Sequence, residues 1–305
     1  MKITNTQGLS DVWVEAVKAD DYDKVGWRSI TGLVAPPQQQ ILLQRHDNEV
    51  EEDVTDRIWM LLGSACHVVL ERAAKDSDSI LTETRFTIPC LDKEISLKPD
   101  RVEQIGDTDT YHLKDFKIST IWSVIYDTKP EWKAQCNLYS FALRSIGIDV
   151  VKISVELLCR DWSKSEYEKE LDKATKFGGE CKYPSEKVQV VEIEVWDDDT
   201  CKAYLEERVS LYIKAEETED NDLPPCTDEE RWLRDEQFAV MKKGGKRSTK
   251  NCSTHAEAAA YMQEKGYKEP TYYIEYRRGK SIRCENYCSV TRWCRQYKEE
   301  IHTEF

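Results

Sequence analysis

Residues 97–119 read LKPDRVEQIGDTDTYHLKDFKIS, and this stretch decides the fold. It predicts two neighbouring strands joined by a short turn. The first ends near Glu103 and carries Asp100 behind Pro99; the second runs from Thr110 to Ile118 and carries Asp115 two residues before Lys117. Alternation along a strand puts residues i and i+2 on one face, so Asp115 and Lys117 point the same way. Both acids then reach the same end of one sheet. Two carboxylates that close, with an ammonium beside them, describe a site for a divalent cation and a phosphodiester.

Towards the N-terminus, residues 81–89 alternate as a strand, and 94–97 pair with it as a hairpin leading to Asp100. Glu83 lies on that strand, where it either approaches the cation or stays a solvated acid, the commoner fate of a strand carboxylate. Val54, Ile58, Leu61, Leu62, Ala65, Val69 and Leu70 follow the 3.6-residue period and predict a helix over 53–74. Gly63 and His67 share a face of it. A histidine on an apolar helix usually packs in a core; the neighbouring acids favour the ligand reading. Residues 1–50 form an approach segment, with a short strand or turn at 27–34 stopped by Pro36 and Pro37.

On the C-terminal side, a loop at 120–130 carries Trp122 and Tyr126, and a helix is expected over 131–146. Gln135 and Tyr139 stand at i and i+4 on it, either to hold a nucleotide or phosphate or as plain polar outer positions. Strands at 150–159 and 188–195 extend the sheet, and a helix at 198–215 closes the domain. Residues 164–184 are polar and without definite form. At Glu216 the composition changes to EETEDNDLPPC, a linker. It divides the chain into 1–216 and a basic, cysteine-rich segment 217–305 expected to pack on the core. In that segment Lys242, Lys243, Lys246, Arg247 and Lys250 surround a Gly-Gly turn, suited to a phosphate backbone or to a solvated hairpin. A helix at 254–265 and a strand at 271–276 follow.

The chain has 305 residues, a formal net charge of -14 and eleven cysteines. That length supports a sizeable core. No apolar run approaches the roughly 18 residues that span a bilayer, and MKITNTQGLSDVW lacks a signal-peptide core. The expectation is a cytoplasmic protein with no membrane partner. The acidic balance argues against a general nucleic-acid coat, yet bound cations offset acidic ligands locally. Cys284, Cys288 and Cys294 stand at C-x3-C-x5-C, three thiols suited to a soft metal. Cys226 is the first choice for a fourth ligand and Cys252 the second. An iron-sulfur centre and structural zinc both remain open on spacing. Cys66, Cys90, Cys136, Cys159, Cys181 and Cys201 read as core thiols.

In order, Gly63 and His67, Pro99 and Asp100, Asp115 and Lys117, Gln135 and Tyr139, and the cysteine triplet resemble the PD-(D/E)xK nucleases of the RecB-like branch. The likeness is to phage-encoded exonucleases with an iron-sulfur cluster, over about residues 53–160 and 226–297. The C-x3-C spacing and a first cysteine that follows the core depart from some relatives. The resemblance implies an α/β fold with a restriction-endonuclease-like core, a mixed central sheet flanked by helices. It implies a DNA exonuclease in which His67, Asp100, Asp115 and the Phe116 carbonyl hold Mg2+ or Mn2+. Asp100, Asp115 and Lys117 carry catalysis, with Gln135 and Tyr139 positioning the strand. Cys226, Cys284, Cys288 and Cys294 hold a [4Fe-4S] cluster of structural role. The partners implied are DNA ends or single strands and a recombinase or annealing protein, in a host cytoplasm if the gene is viral. The competing reading is an inactive or zinc-stabilised nucleic-acid adaptor on the same fold.

Overall fold

The computed structural model describes residues 1–19, 25–74, 79–126 and 129–302. It is an α/β protein with mixed sheets flanked by helices. It divides into two compact units, one of residues 1–40 and 47–217, the other of residues 41–46 and 218–305.

The first unit is built on a five-stranded sheet. Its order is Val188–Ile193, Asp149–Cys159, Thr110–Ser119, Arg101–Gln104 and Ile80–Thr82. Asp149–Cys159 and Thr110–Ser119 run parallel, and the other neighbours antiparallel. The parallel pair needs a crossover, which the helix Pro130–Ser145 provides, with Pro130 in its first turn. This helix packs on Asp149–Cys159 and on the helix Asp198–Glu216, burying Ala134, Leu138, Ala142 and Leu143. Leu113, Val155 and Leu157, all fully buried, lie among the central strands.

The other sheet face lies under the helix Ile58–Ala73. Its first turn follows a short 3-10 segment capped by Asp53, whose side chain accepts from Thr55 N. Of the seven periodic residues only Val54, in the 3-10 segment, is buried; the α-helix itself buries none. A cavity of about 360 Å3 separates Val69 and Leu70 of this helix from Phe116, Ile118, Leu158 and Val188 of the sheet. Periodicity located the apolar face; it did not measure how closely the face sits.

Three expectations change. The stretch 81–89 is two strands, Ile80–Thr82 and Phe86–Cys90, broken at Glu83, which takes φ 49°. Phe86–Cys90 pairs with Lys93–Leu97 as expected. Pro37 opens the helix Pro37–Arg45 instead of ending an element, since proline suits a first helical turn. Residues 164–184 contain the helix Lys164–Phe177, ended by Gly178 in the left-handed conformation.

In the second unit, Ser248–Cys252, Gln237–Lys242 and Tyr272–Arg277 form an antiparallel sheet in that order. The helix His255–Glu264 covers it through Val240, Cys252 and Ala258, with Phe238, Tyr261 and Met262 around them. The Gly-Gly turn closes the hairpin: Gly244 has φ +78°, and Gly245 N donates to Lys242 O at 2.8 Å. Among the described residues no helix is long and apolar enough to cross a membrane.

Candidate functional site

The strands Arg101–Gln104 and Thr110–Ser119 pair with Arg101 opposite Lys114. One step beyond that last pair, Asp100 lies beside Asp115. The Asp100 carboxylate takes the place of the missing ladder partner: Phe116 N donates to its Oδ2 at 2.6 Å. N–H and C=O of one strand residue point the same way. The Phe116 carbonyl therefore also faces the Asp100 side, where the ladder has ended.

Asp100 is 8% and Asp115 1% exposed. Burial, then the charge of Asp115, pushes the Asp100 carboxyl up to about 7, against the pull of His67, Lys117 and the Phe116 N–H. Two buried carboxylates side by side cannot both ionise cheaply. Asp115 is balanced by Lys117, whose Nζ lies 2.8 Å from Asp115 Oδ2. Burial lowers Lys117, but Asp115 and Asp100 more than offset this and hold the ammonium well above its usual range.

His67 reaches the same place from the helix Ile58–Ala73. Its Nδ1 lies 3.4 Å from Asp100 Oδ1 and 3.5 Å from Glu83 Oε1. Hydrogen bonding to Glu83 raises its pKa, burial lowers it and Asp100 raises it, the balance being upward. Ligand atoms of His67, Glu83 and Asp100 all lie within 4.8 Å of one another. Glu83 is thus no solvated strand acid: its side chain is 11% exposed and paired to Lys98 Nζ at 2.6 Å. The break at Glu83 is the cause. Its left-handed backbone is uncommon for a residue with a side chain, and it carries the carboxylate to His67, while Glu83 N donates to Asp100 O. Burial raises Glu83, and the bonds from His67 and Lys98 outweigh it, leaving the carboxyl below its ordinary value.

Gln135 and Tyr139 are buried, and so are not outer helix positions. Lys117 Nζ donates to Gln135 Oε1 at 3.3 Å, and Gln135 Nε2 donates to Tyr139 Oη at 2.9 Å. Thr31 Oγ1 lies 3.0 Å from Tyr139 Oη and accepts from Gln135 Nε2 at 3.2 Å. Thr31 is held in turn, since Tyr212 Oη donates to Gly32 O at 2.7 Å and Arg208 Nε to Leu33 O at 2.8 Å. This relay fixes Lys117. Gln135 and Tyr139 act through the lysine and are positioning residues.

The structure brings His67, Asp100, Asp115 and Lys117 together and adds Glu83, Lys98 and Thr31. Lys98 had a signal, a cation just before Pro99 and Asp100. Thr31, 104 residues from Gln135, had none. The donors fit a hard divalent cation: one imidazole, carboxylates and a free-facing carbonyl, with two crowded acids whose repulsion a cation relieves.

The second unit gathers the cysteine set. Cys284 lies on the helix Ile282–Asn286, Cys288 follows it, and Cys294 precedes the helix Arg295–His302. Gln296 accepts from Cys226 N and donates to Cys226 O, both at 2.9 Å, tying Cys226 to that helix. Burial, then neighbouring Cys288 and Cys294, pushes Cys284 up to about 12. Cys226 is raised by burial and, further down, by Cys294, Cys284 and Cys288. Tyr297 N donates to Cys294 Sγ at 3.4 Å. Cys226, Cys284, Cys288 and Cys294 are thus neighbours that raise one another, but among the described residues the ligand atoms that converge within 4.8 Å are those of His67, Glu83 and Asp100 and include no sulfur. Cys252, the second choice for a fourth ligand, sits in the sheet–helix core beside Val240. Cys66 and Cys181 are half-buried, unlike the buried Cys90, Cys136, Cys159 and Cys201.

The basic hairpin leaves Lys242, Lys243, Lys246 and Arg247 exposed. Lys250 instead pairs with Glu257 at 3.4 Å and lies over the Tyr261 ring.

No protein-family model and no curated protein matches the chain. Among solved structures it is similar to the crystal structure of SSO0001, at 15% identity over 66% of this chain and 84% of that one, with a TM-score of 0.44.

Proposed function

We propose that the chain is a metal-dependent DNA nuclease of the PD-(D/E)xK superfamily, of the RecB-like branch, with an exonuclease as the favoured form. The observation that carries this is the convergence of His67, Glu83 and Asp100 within 4.8 Å, beside the Asp115–Lys117 pair at 2.8 Å. In this reading the five-stranded mixed sheet is a restriction-endonuclease-like core. His67, Asp100, Asp115 and the Phe116 carbonyl, with Glu83 added, would hold Mg2+ or Mn2+.

A divalent cation in such a site supplies Lewis-acid stabilisation and lowers the pKa of water. Hydrolysis adds water across one phosphodiester P–O bond; the water oxygen joins phosphorus, and the leaving alkoxide gains a proton. Lys117, fixed as a cation by its carboxylate neighbours, balances charge growing on the non-bridging oxygens and orients the water. The relay from Gln135 through Tyr139 to Thr31 keeps the ammonium in that orientation. Asp100 Oδ2, bonded by Phe116 N–H, cannot swing away from the strand end. In the second unit Cys226, Cys284, Cys288 and Cys294 would hold a [4Fe-4S] cluster that supports the fold, since hydrolysis moves no electron.

The test is digestion of end-labelled linear DNA with Mg2+ or Mn2+ and with EDTA, using anaerobically purified protein whose iron, sulfide and zinc are measured. Metal-dependent cleavage lost in Asp115→Asn and Lys117→Gln is the expected result. Intact DNA with zinc in place of iron would replace this reading by a zinc-stabilised adaptor.

A further inference from the structure

The two parallel central strands end at one edge, at Ser119 and Cys159, which pair with each other. That edge carries exposed aromatic rings. Trp122, which opens the short helix Trp122–Ile125, and Tyr126, which follows it, stack with centroids 5.4 Å apart and an interplanar angle of 14°. They are 51% and 77% exposed. The turn beneath them is fixed: Ile121 N donates to Asp161 Oδ1 at 2.8 Å, and Ser119 Oγ lies 2.9 Å from Ser123 Oγ. Arg160 N donates to Ser119 O at 2.9 Å, and the Arg160 guanidinium lies 4.0 Å over the ring of Trp59, itself 55% exposed.

These rings flank the candidate site. Lys117 is two residues from the strand end, about 7 Å along the strand. Trp59 lies on the helix of His67, eight residues earlier, about 12 Å along its axis. Open α/β sheets bind ligands beyond the carboxyl ends of their strands. Flat rings left in water at such an edge need a partner with an apolar face, and a guanidinium beside them asks for an anion. An unpaired nucleic-acid strand offers both at every residue. A duplex does not, because its bases already stack on one another.

We propose that this edge is a base-stacking subsite: bases of an unpaired substrate strand lie on the Trp122–Tyr126 pair and against Trp59, with Arg160 for a flanking phosphate. The inference rests on the nuclease reading for the identity of the strand. It deepens that reading by making single-stranded ends the substrate.

Affinity for a fluorescein-labelled oligothymidylate is measured by anisotropy with Ca2+ in place of Mg2+, for wild type, W122A/Y126A and W122F/Y126F. An oligomer of the same length with abasic sugars is the second probe. Stacking predicts about 10- to 100-fold weaker binding for W122A/Y126A, near-full affinity for W122F/Y126F, and equal weakening of wild type by the abasic oligomer. The double alanine variant should not distinguish the two oligomers. Wild type that binds both oligomers equally, or neither, or W122A/Y126A that binds oligothymidylate as wild type does, overturns the subsite. Digestion with Mn2+ on the same samples separates the two ideas. Base-dependent binding without cleavage removes the nuclease reading and leaves the stacking surface in place.

Discussion

Asp100→Asn should stabilise the metal-free protein while abolishing cleavage. The Asp100 carboxyl, 3.8 when unperturbed, is pushed to about 7. The folded protein then binds more protons than the unfolded chain between about pH 4 and pH 7, so stability falls as pH rises through that window. About three units at 1.36 kcal/mol each give roughly 4 kcal/mol as an upper figure. Relaxation and water entry reduce such costs, so the expected gain above pH 7 is about 1–4 kcal/mol. Asparagine is nearly isosteric with the protonated acid and still accepts from Phe116 N, so the gain should vanish near pH 4. His67 acts in the same direction. Its raised pKa, owed first to the Glu83 hydrogen bond, gives stability present below about 6.5 and lost as pH rises through its folded value. The assay is urea unfolding in EDTA from pH 4 to pH 8.5, followed by tryptophan fluorescence, then repeated with Mn2+. At 100-fold above its Kd the ion should add about 2.7 kcal/mol to wild type and less to the variant. A variant less stable than wild type at pH 8 in EDTA, or a difference independent of pH, refutes the reasoning.

Lys117→Met should lower metal-dependent cleavage by about 10²-fold or more, read from initial rates. It should also destabilise the fold by about 3–5 kcal/mol, because Asp115 is left buried without its cation. Thr31→Val should lower kcat with little change in KM, since Thr31 acts only through Tyr139 and Gln135; an unchanged kcat removes the relay. Cys288→Ser should lose bound iron and the broad absorbance near about 400 nm expected of a thiolate-bound cluster; a fully coloured variant takes Cys288 out of the ligand set. Replacing Lys242, Lys243, Lys246 and Arg247 with glutamine should flatten the salt dependence of oligonucleotide affinity by about 3 in log–log slope; an unchanged slope makes the hairpin a solvated turn.

The pairing of the PD and DxK strands was legible because it rests on local alternation and one short turn. So was the extent of the helix around His67, which the 3.6-residue period marks. The place of Glu83 was not. Alternation carries the strand straight through residues 81–89, and nothing in the residue types announces a left-handed break at a glutamate. Thr31 was hidden for a different reason: its contact with Gln135 spans the unit and leaves no periodic trace. The helix Lys164–Phe177 carries only a sparse apolar stripe, Tyr167, Leu171 and Ala174 at i, i+4 and i+7, and buries no residue fully. Charged pairs along its surface, Glu166 with Lys169, Glu170 with Lys173 and Asp172 with Lys176, support it instead. The cysteine triplet was legible as a group of neighbours in sequence; that Cys252 packs among apolar side chains was not, because that contact is made across a sheet and a helix.

The acidic balance bears on how a strand is held. A chain of net charge -14 repels a polyanion at long range, and phosphate contacts from a few exposed cations weaken steeply as salt rises. Stacking on neutral rings is not a charge interaction, so neither the net charge nor added salt works against it directly. Trp59, Trp122 and Tyr126 therefore gain weight in this chain relative to a basic nuclease. Oligothymidylate binding should fall with salt only until the phosphate contribution is screened, and then level at a residue set by the rings. W122A/Y126A should lack that plateau while keeping the initial slope. Removing the hairpin cations should do the reverse, lowering the slope and keeping the plateau. The two variants thus divide one binding curve between a screened and an unscreened part. A single slope shared by wild type and W122A/Y126A over the whole salt range would show that phosphate contacts alone hold the strand.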